Sequence, residues 1–389
     1  MSRPVYLDYH ATTPVDPRVL EEMLPYFTER FGNPASRQHA YGWQAQEAVD
    51  RARAQVAALL KASPAEIVFT SGASESNNLA IKGVTCAQKD RGDHVITVAT
   101  EHKSVLDSCA RLERDGWRVT RLPVGGDGLI DLDQLRAALT DRTVLVSVMA
   151  ANNEIGVLQP LQEIAAIVHD RGALLHTDAA QGFGKVPLDV AAAGIDLLSL
   201  TAHKCYGPKG AGALYVRRGR PKVPIECQID GGGHEHGLRS GTLNVPGIVG
   251  LGACAEIAVR VLPEESKRLA GLRDRLLHGL LAALPGIRIN GSLERRLPHN
   301  LHVSFEGIEG EALLMALGDL AVSTGSACSS GSQAPSHVLQ AIGAVAANGG
   351  ALIRFGLGRW TTDADIDFAI DRVTSVVRSL RAHHPVLKS

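Results

Sequence analysis

Six short apolar runs punctuate the first two-thirds of the chain, at positions 67–70, 94–99, 143–150, 173–177, 195–201 and 211–216. Several are apolar on successive residues rather than alternate ones, the pattern of parallel strands covered on both faces. Between them the period becomes helical. Residues 44–61 carry Ala48, Val49, Ala52, Val56 and Leu59 along one stripe, and 161–171 closes on Gly172. Strand alternating with helix predicts a layered α/β architecture with a mostly parallel sheet. Near Pro263 the texture changes to a charged helix over about 264–284, strands at 287–289 and 300–305, and a helix at 309–318. A strand at 352–355 and a last helix near 363–380 follow, which predicts a smaller α+β domain packed on the first.

Forty Lys plus Arg against 41 Asp plus Glu give a net charge of −1, so no basic excess argues for nucleic acid or an anionic membrane as partner. The opening residues contain no apolar core of a secretory signal, and the apolar stretch 248–262 is interrupted by Glu256 and Arg260, so no membrane span is expected. The six cysteines lie at least 22 positions apart without a C-x-x-C pair, which fits neither a disulfide framework nor a zinc site and suits a reducing cytoplasm.

Asp178 stands at the C-terminal end of one apolar run, with Gln181 three residues on. A later run ends in Thr201, Ala202, His203 and Lys204, which places Lys204 26 residues after Asp178. Open α/β sheets bind ligands at such strand ends. A lysine amine for a Schiff base and a carboxylate for a ring nitrogen are what pyridoxal 5′-phosphate requires. Residues 69–77 run from strand through Gly72 into a hydroxyl-rich helix start, where free N–H groups with Ser74 or Ser76 make a phosphate cup. Plain helix capping reads the same residues equally well. His102 ends another strand, where an imidazole can stack on the pyridine ring and move protons. Asn153 follows a third strand and suits a cofactor oxygen or a substrate carboxylate.

Cys328 sits among Gly and Ser rather than in an apolar run, the setting of an accessible thiol. The remaining cysteines read as core or incidental, with Cys205, beside Lys204, the doubtful case. Arg354, on a short strand, offers a guanidinium fork for an α-carboxylate.

Taken in order, residues 6–14, 31–36, 69–77, 100–103, 152–157, 203–210, 231–242, 323–329 and 353–359 resemble the group I cysteine desulfurases of the NifS and IscS type. The resemblance implies a fold-type I pyridoxal-phosphate homodimer. Its large domain (13–258) would hold a mostly parallel, seven-stranded-type sheet, and 1–12 with 259–389 would form the small domain. It implies that Lys204 carries the cofactor, Asp178 meets the pyridine nitrogen and Gln181 its O3′. Ala73, Ser74, Thr201 and His203 would bind the phosphate, with Thr242 reaching that of the partner subunit. His102 would stack on the ring or take a proton, and Asn153 and Arg354 would hold the carboxylate of L-cysteine. Cys328 would accept the sulfur as a persulfide, release L-alanine, and transiently ligate an Fe–S cluster in some settings. The recipient would be an acceptor protein in Fe–S cluster assembly, tRNA thiolation or DNA phosphorothioation.

The chain departs from the family pattern at Ser74, Ala202 and His236 and in its short end after the last helix, which leaves the acceptor open. Another fold-type I enzyme, such as a selenocysteine lyase or aminotransferase, would keep Lys204 and Asp178 without needing Cys328. A carrier that has lost catalysis would bind a partner and be colourless. His234–His236 and His299/His302 lack the cysteine or carboxylate companions of a metal site.

Overall fold

A computed structural model describes residues 3–219, 221–324, 336–344 and 350–383. Seven strands form the main sheet, in the spatial order Ile67–Thr70, Gly212–Val216, Leu197–Thr201, Leu174–Asp178, Thr143–Ser147, His94–Val98 and Arg118–Leu122. Gly212–Val216 runs antiparallel to both neighbours, and every other pairing is parallel. The five inner strands are buried along their whole length because helices cover both faces, which is why their runs are continuously apolar. Arg118–Leu122 is the strand that sequence reading passes over. As an edge strand it carries exposed Arg118 and Arg121 and buries only Leu122. The expected strand over 143–150 stops at Ser147, and Val148–Ala151 continue as buried loop leading to Asn153.

Leu174–Asp178 and Leu197–Thr201 lie side by side and parallel, with Asp178 paired opposite Ser199. Their carboxyl ends therefore deliver Asp178 and the turn Ala202–Lys204 to the same sheet edge.

A second core forms around an antiparallel sheet of Gly350–Gly356, Asn300–Glu306 and Ile287–Ile289, packed under Leu276, Leu280, Ile366 and Val373. The opening residues belong to this core. Val5–Tyr6 pairs in parallel with Leu320–Ala321, and Leu7 is fully buried.

The textural change near Pro263 is not a helix boundary. One helix, Val245–Ala283, runs straight through it for 39 residues. Its first half buries Ile248, Leu251 and Ala255 in the main core, and its second half buries Leu269, Leu276 and Leu280 in the second core. By length and composition this helix could cross a membrane, but two-thirds of its apolar window is buried within the protein. It is a core helix.

Candidate active site

A cavity of about 450 Å³ opens at the carboxyl ends of the parallel strands. It gathers Ala73, Ser74, His102, Asn153, Asp178, Gln181, Thr201, His203 and Lys204 into one lining. These residues run from Ala73 to Lys204 in the sequence and converge only through the sheet order.

At one end the helix Ala73–Ala87 points its N-terminus into the cavity. The first N–H groups of any helix lack carbonyl partners, so Ala73 and Ser74 offer donors to an anion. Gly72, the residue before them, holds φ at +153°, which a side chain would rarely allow. The loop lies directly on bare backbone, because a Cβ at Gly212 would sit 2.5 Å from the Cα of Gly72. Thr201, His203 and Lys209 complete this end. Burial, with the charges of Lys204 and Lys209, pushes His203 down to about 4, so its ring is neutral at pH 7. One nitrogen is engaged by Thr12 Oγ1 at 3.1 Å. Ser76, the alternative hydroxyl considered for the cup, turns away to Thr70 Oγ1 at 2.8 Å.

Asp178 also lines the cavity and is itself buried. Its Oδ1 accepts from the Ala180 N–H at 2.9 Å and its Oδ2 from Asn77 Nδ2 at 2.7 Å. Gln181 is fixed by His10: its Nε2 donates to the His10 carbonyl, and its Oε1 faces His10 Nδ1, both at 3.0 Å. Asn300 Nδ2 contacts the other His10 nitrogen at 3.0 Å. Burial holds His10 well below its ordinary value, so the ring works as a neutral spacer between Gln181 and the second core. His299 stacks on it at 4.5 Å, and His302 Nδ1 meets Asn290 at 2.8 Å. His236 stands outside the cavity at φ +60°.

Arg354 is brought near the site but does not line the cavity. It is buried, with Nη1 donating to the Asn153 carbonyl and Nη2 to Asp8 Oδ1, both at 2.8 Å. Its Nε has no partner among the described residues. Thr242 also lies outside the lining, exposed at the surface. Cys328 lies outside the described residues. The chain on either side of that stretch is anchored near Asn153: Ser323 Oγ donates to Asp8 Oδ1 at 3.2 Å, and Ser336 Oγ donates to Glu154. Cys205 is buried against Cys254 and away from the cavity.

Sequence reading gave no role to Asn77, Ser104, Lys209 or His10. Asn77 and Lys209 fall inside matched segments, but nothing in their spacing marks them. Their roles appear only once the strands are side by side.

The donor set fits pyridoxal phosphate. An anion cup, a lysine and a hydrogen-bonded carboxylate line one cavity. The family model for class-V aminotransferases matches residues 5–368. A cysteine desulfurase IscS of Anaeromyxobacter sp. (strain Fw109-5) is 56% identical over 99% of this chain and 95% of its own. Among solved structures, a NifS-like protein superposes with a TM-score of 0.90 at 40% identity, covering 97% of this chain and all of that one. A structure of SspA in complex with cysteine superposes at 0.81 with 39% identity, covering 92% of this chain and all of that one. The seven-stranded sheet, the cavity at its carboxyl edge and this near full-length similarity agree: the chain belongs to the class-V aminotransferase family and, within it, to the NifS/IscS-type cysteine desulfurases, which are pyridoxal-phosphate enzymes.

Proposed function

We propose that this protein removes sulfur from L-cysteine, passes it to Cys328 as a persulfide and releases L-alanine. The observation that carries the proposal is the single cavity joining Lys204, Asp178 and the cup at Ala73 and Ser74.

Bound there, pyridoxal phosphate supplies an electron sink that labilises the bonds of an amino acid around its α-carbon. Lys204 would hold the cofactor through its amine, and the same amine is the group that would move the α-proton. Asp178, kept in place by Asn77 and the Ala180 N–H, meets the ring nitrogen. Thr201, His203 and the helix start hold the phosphate. Asn153 lines the cavity where a substrate carboxylate would lie, and Arg354 grips Asn153 from behind through its carbonyl. Arg354 would thus act on the carboxylate through the Asn153 loop that it holds in place. The Cys328 thiolate attacks Sγ of the substrate, the Cβ–Sγ bond breaks, and the sulfur stays on Cys328 while the three-carbon remainder leaves as alanine.

The working unit is proposed to be a homodimer. Leu24, Phe27, Phe31 and Trp43 are 55–64% exposed within a span of 20 residues, apolar side chains that a second copy would cover. Thr242, exposed and outside the cavity, is proposed to reach the phosphate site of that copy. The sulfur recipient is proposed to be a cytoplasmic acceptor protein.

The test is direct. Purified protein should be yellow, with an absorbance band near about 420 nm, and should yield alanine and sulfide from L-cysteine with a reductant present. Cys328→Ala should keep the colour and release no alanine, whereas normal turnover in that variant sinks the assignment of Cys328. Turnover of selenocysteine alone would move the protein to the lyase reading.

A further inference from the structure

A chain of hydrogen bonds joins Asp178 to His102 through Asn77, which stands behind the cavity lining, and Ser104, which is part of it. Asn77 Nδ2 donates to Asp178 Oδ2 at 2.7 Å and to Ser104 Oγ at 2.8 Å. Ser104 Oγ lies 2.8 Å from His102 Nδ1, and the Ser104 backbone N–H donates to the same nitrogen at 3.1 Å. His102 is the residue that caps the helix Lys103–Arg114.

The directions of these bonds are forced. Asp178 Oδ2 is an acceptor, so the Asn77 amide must turn its nitrogen toward it, and both Asn77 protons are then used. Ser104 Oγ receives one of them and keeps its own proton available for His102 Nδ1. The Ser104 backbone N–H, which can only donate, points at the same nitrogen. A nitrogen that accepts from a backbone N–H cannot carry a proton itself, so the ring proton resides on Nε2. We propose that Asn77 and Ser104 are positioning residues that hold His102 as the neutral Nε2–H tautomer, so that His102 is a hydrogen-bond donor in the cavity and Lys204 alone moves the α-proton.

The surroundings agree. The positive end of a helix disfavours an imidazolium at its cap, the effect that keeps a catalytic imidazole neutral in other enzymes. Burial lowers the affinity of His102 for a second proton, and the charges of Lys204 and His337 add to this. Asp178 and Asp107 oppose it. With Nδ1 committed to Ser104, Nε2 is the nitrogen left for the cavity that His102 lines, and it has no partner among the described residues. A neutral ring whose lone pair is turned away from the cavity cannot act as a base there.

The proposal rests on the pyridoxal-phosphate reading of this cavity, but its main test reads a proton position rather than turnover. Neutron diffraction from crystals of the perdeuterated holoenzyme near neutral pH should show a deuteron on His102 Nε2, none on Nδ1, and the Ser104 hydroxyl aimed at Nδ1. A deuteron on Nδ1 overturns the proposal whether or not the enzyme consumes cysteine. A protein that shows the expected tautomer but makes no alanine would instead sink the desulfurase reading. A second test uses Ser104→Ala, which removes one donor to Nδ1 and so favours the protonated ring. The pH at which the His102 ring titrates, read by nitrogen NMR of the isotope-labelled holoenzyme, should move up by about half to one pH unit, and Ser104→Thr should restore it. A His102 titration that stays in place in Ser104→Ala, or that Thr fails to restore, overturns the positioning role.

Discussion

Arg354 illustrates how a side chain outside the cavity can govern what happens inside it. Its guanidinium spans two acceptors at once, the Asn153 carbonyl and Asp8, and the ammonium of a lysine cannot reproduce that fork. Arg354→Lys is therefore expected to lower kcat/KM for L-cysteine roughly 10- to 100-fold, mostly through KM, because charge-assisted hydrogen bonds of this kind contribute about 1.5–3 kcal/mol. Steady-state alanine assays would read this, and an unchanged KM would remove Arg354 from substrate binding. His176 acts through stability instead. Its ring nitrogens meet Ser147 Oγ at 2.8 Å and Ser199 Oγ at 2.9 Å, and burial pushes it down to about 4. The unfolded chain binds a proton at His176 below about pH 6.5 while the folded chain does not, so stability from this residue is present at neutral pH and drains away as pH falls toward 4. The stability advantage of wild type over His176→Gln should shrink by about 2 kcal/mol between pH 7 and pH 5, measured by urea unfolding. An equal advantage at both pH values would mean that His176 is not held neutral.

Elements matter here through how closely they approach. The strand Gly212–Val216 passes so near the Gly72 turn that a methyl group at Gly212 would meet backbone at 2.5 Å and the Leu200 carbonyl at 2.6 Å. Backbone cannot swing aside as a side chain can. Gly212→Ala should therefore displace the start of the helix Ala73–Ala87, destabilise the fold by about 1–3 kcal/mol and weaken cofactor retention more than substrate affinity. Cofactor loss on gel filtration, followed by absorbance, would check it. The inner strands were legible in the sequence because burial on both faces writes itself as a continuous apolar run. Arg118–Leu122 was not, since an edge strand answers to solvent on one side and its arginines break the run. Pro263 read as a break for a sound local reason, the missing N–H, yet the helix passes through because packing on two cores outweighs that cost. Of the residues expected in the site, those from Ala73 to Lys204 that line the cavity were legible as strand-end or helix-start chemistry. Asn77 and Ser104 were not, because a residue that acts on another residue leaves no trace in spacing along the chain.

For the whole molecule, the exposed row from Leu24 to Trp43 sets the expected assembly. Trp43→Glu puts a charge on that surface. If a second copy covers it, sedimentation velocity should show the dimer giving way to monomer, with turnover falling in parallel as Thr242 loses its partner. A wild-type protein that sediments as a monomer would contradict the arrangement. The helix Val245–Ala283 gives the molecule a further property. At 1.5 Å per residue it is a rod of ~58 Å rooted at both ends in separate cores. Pro263 leaves the carbonyl of Val259 without its helical partner, and the Val259 side chain is 49% exposed, so the rod is thinnest at mid-length. Any breathing of one core against the other must flex the rod at that point. Amide hydrogens around 259–264 should accordingly exchange with solvent faster than those on either side, making this stretch a strain gauge for motion between the two halves of the enzyme.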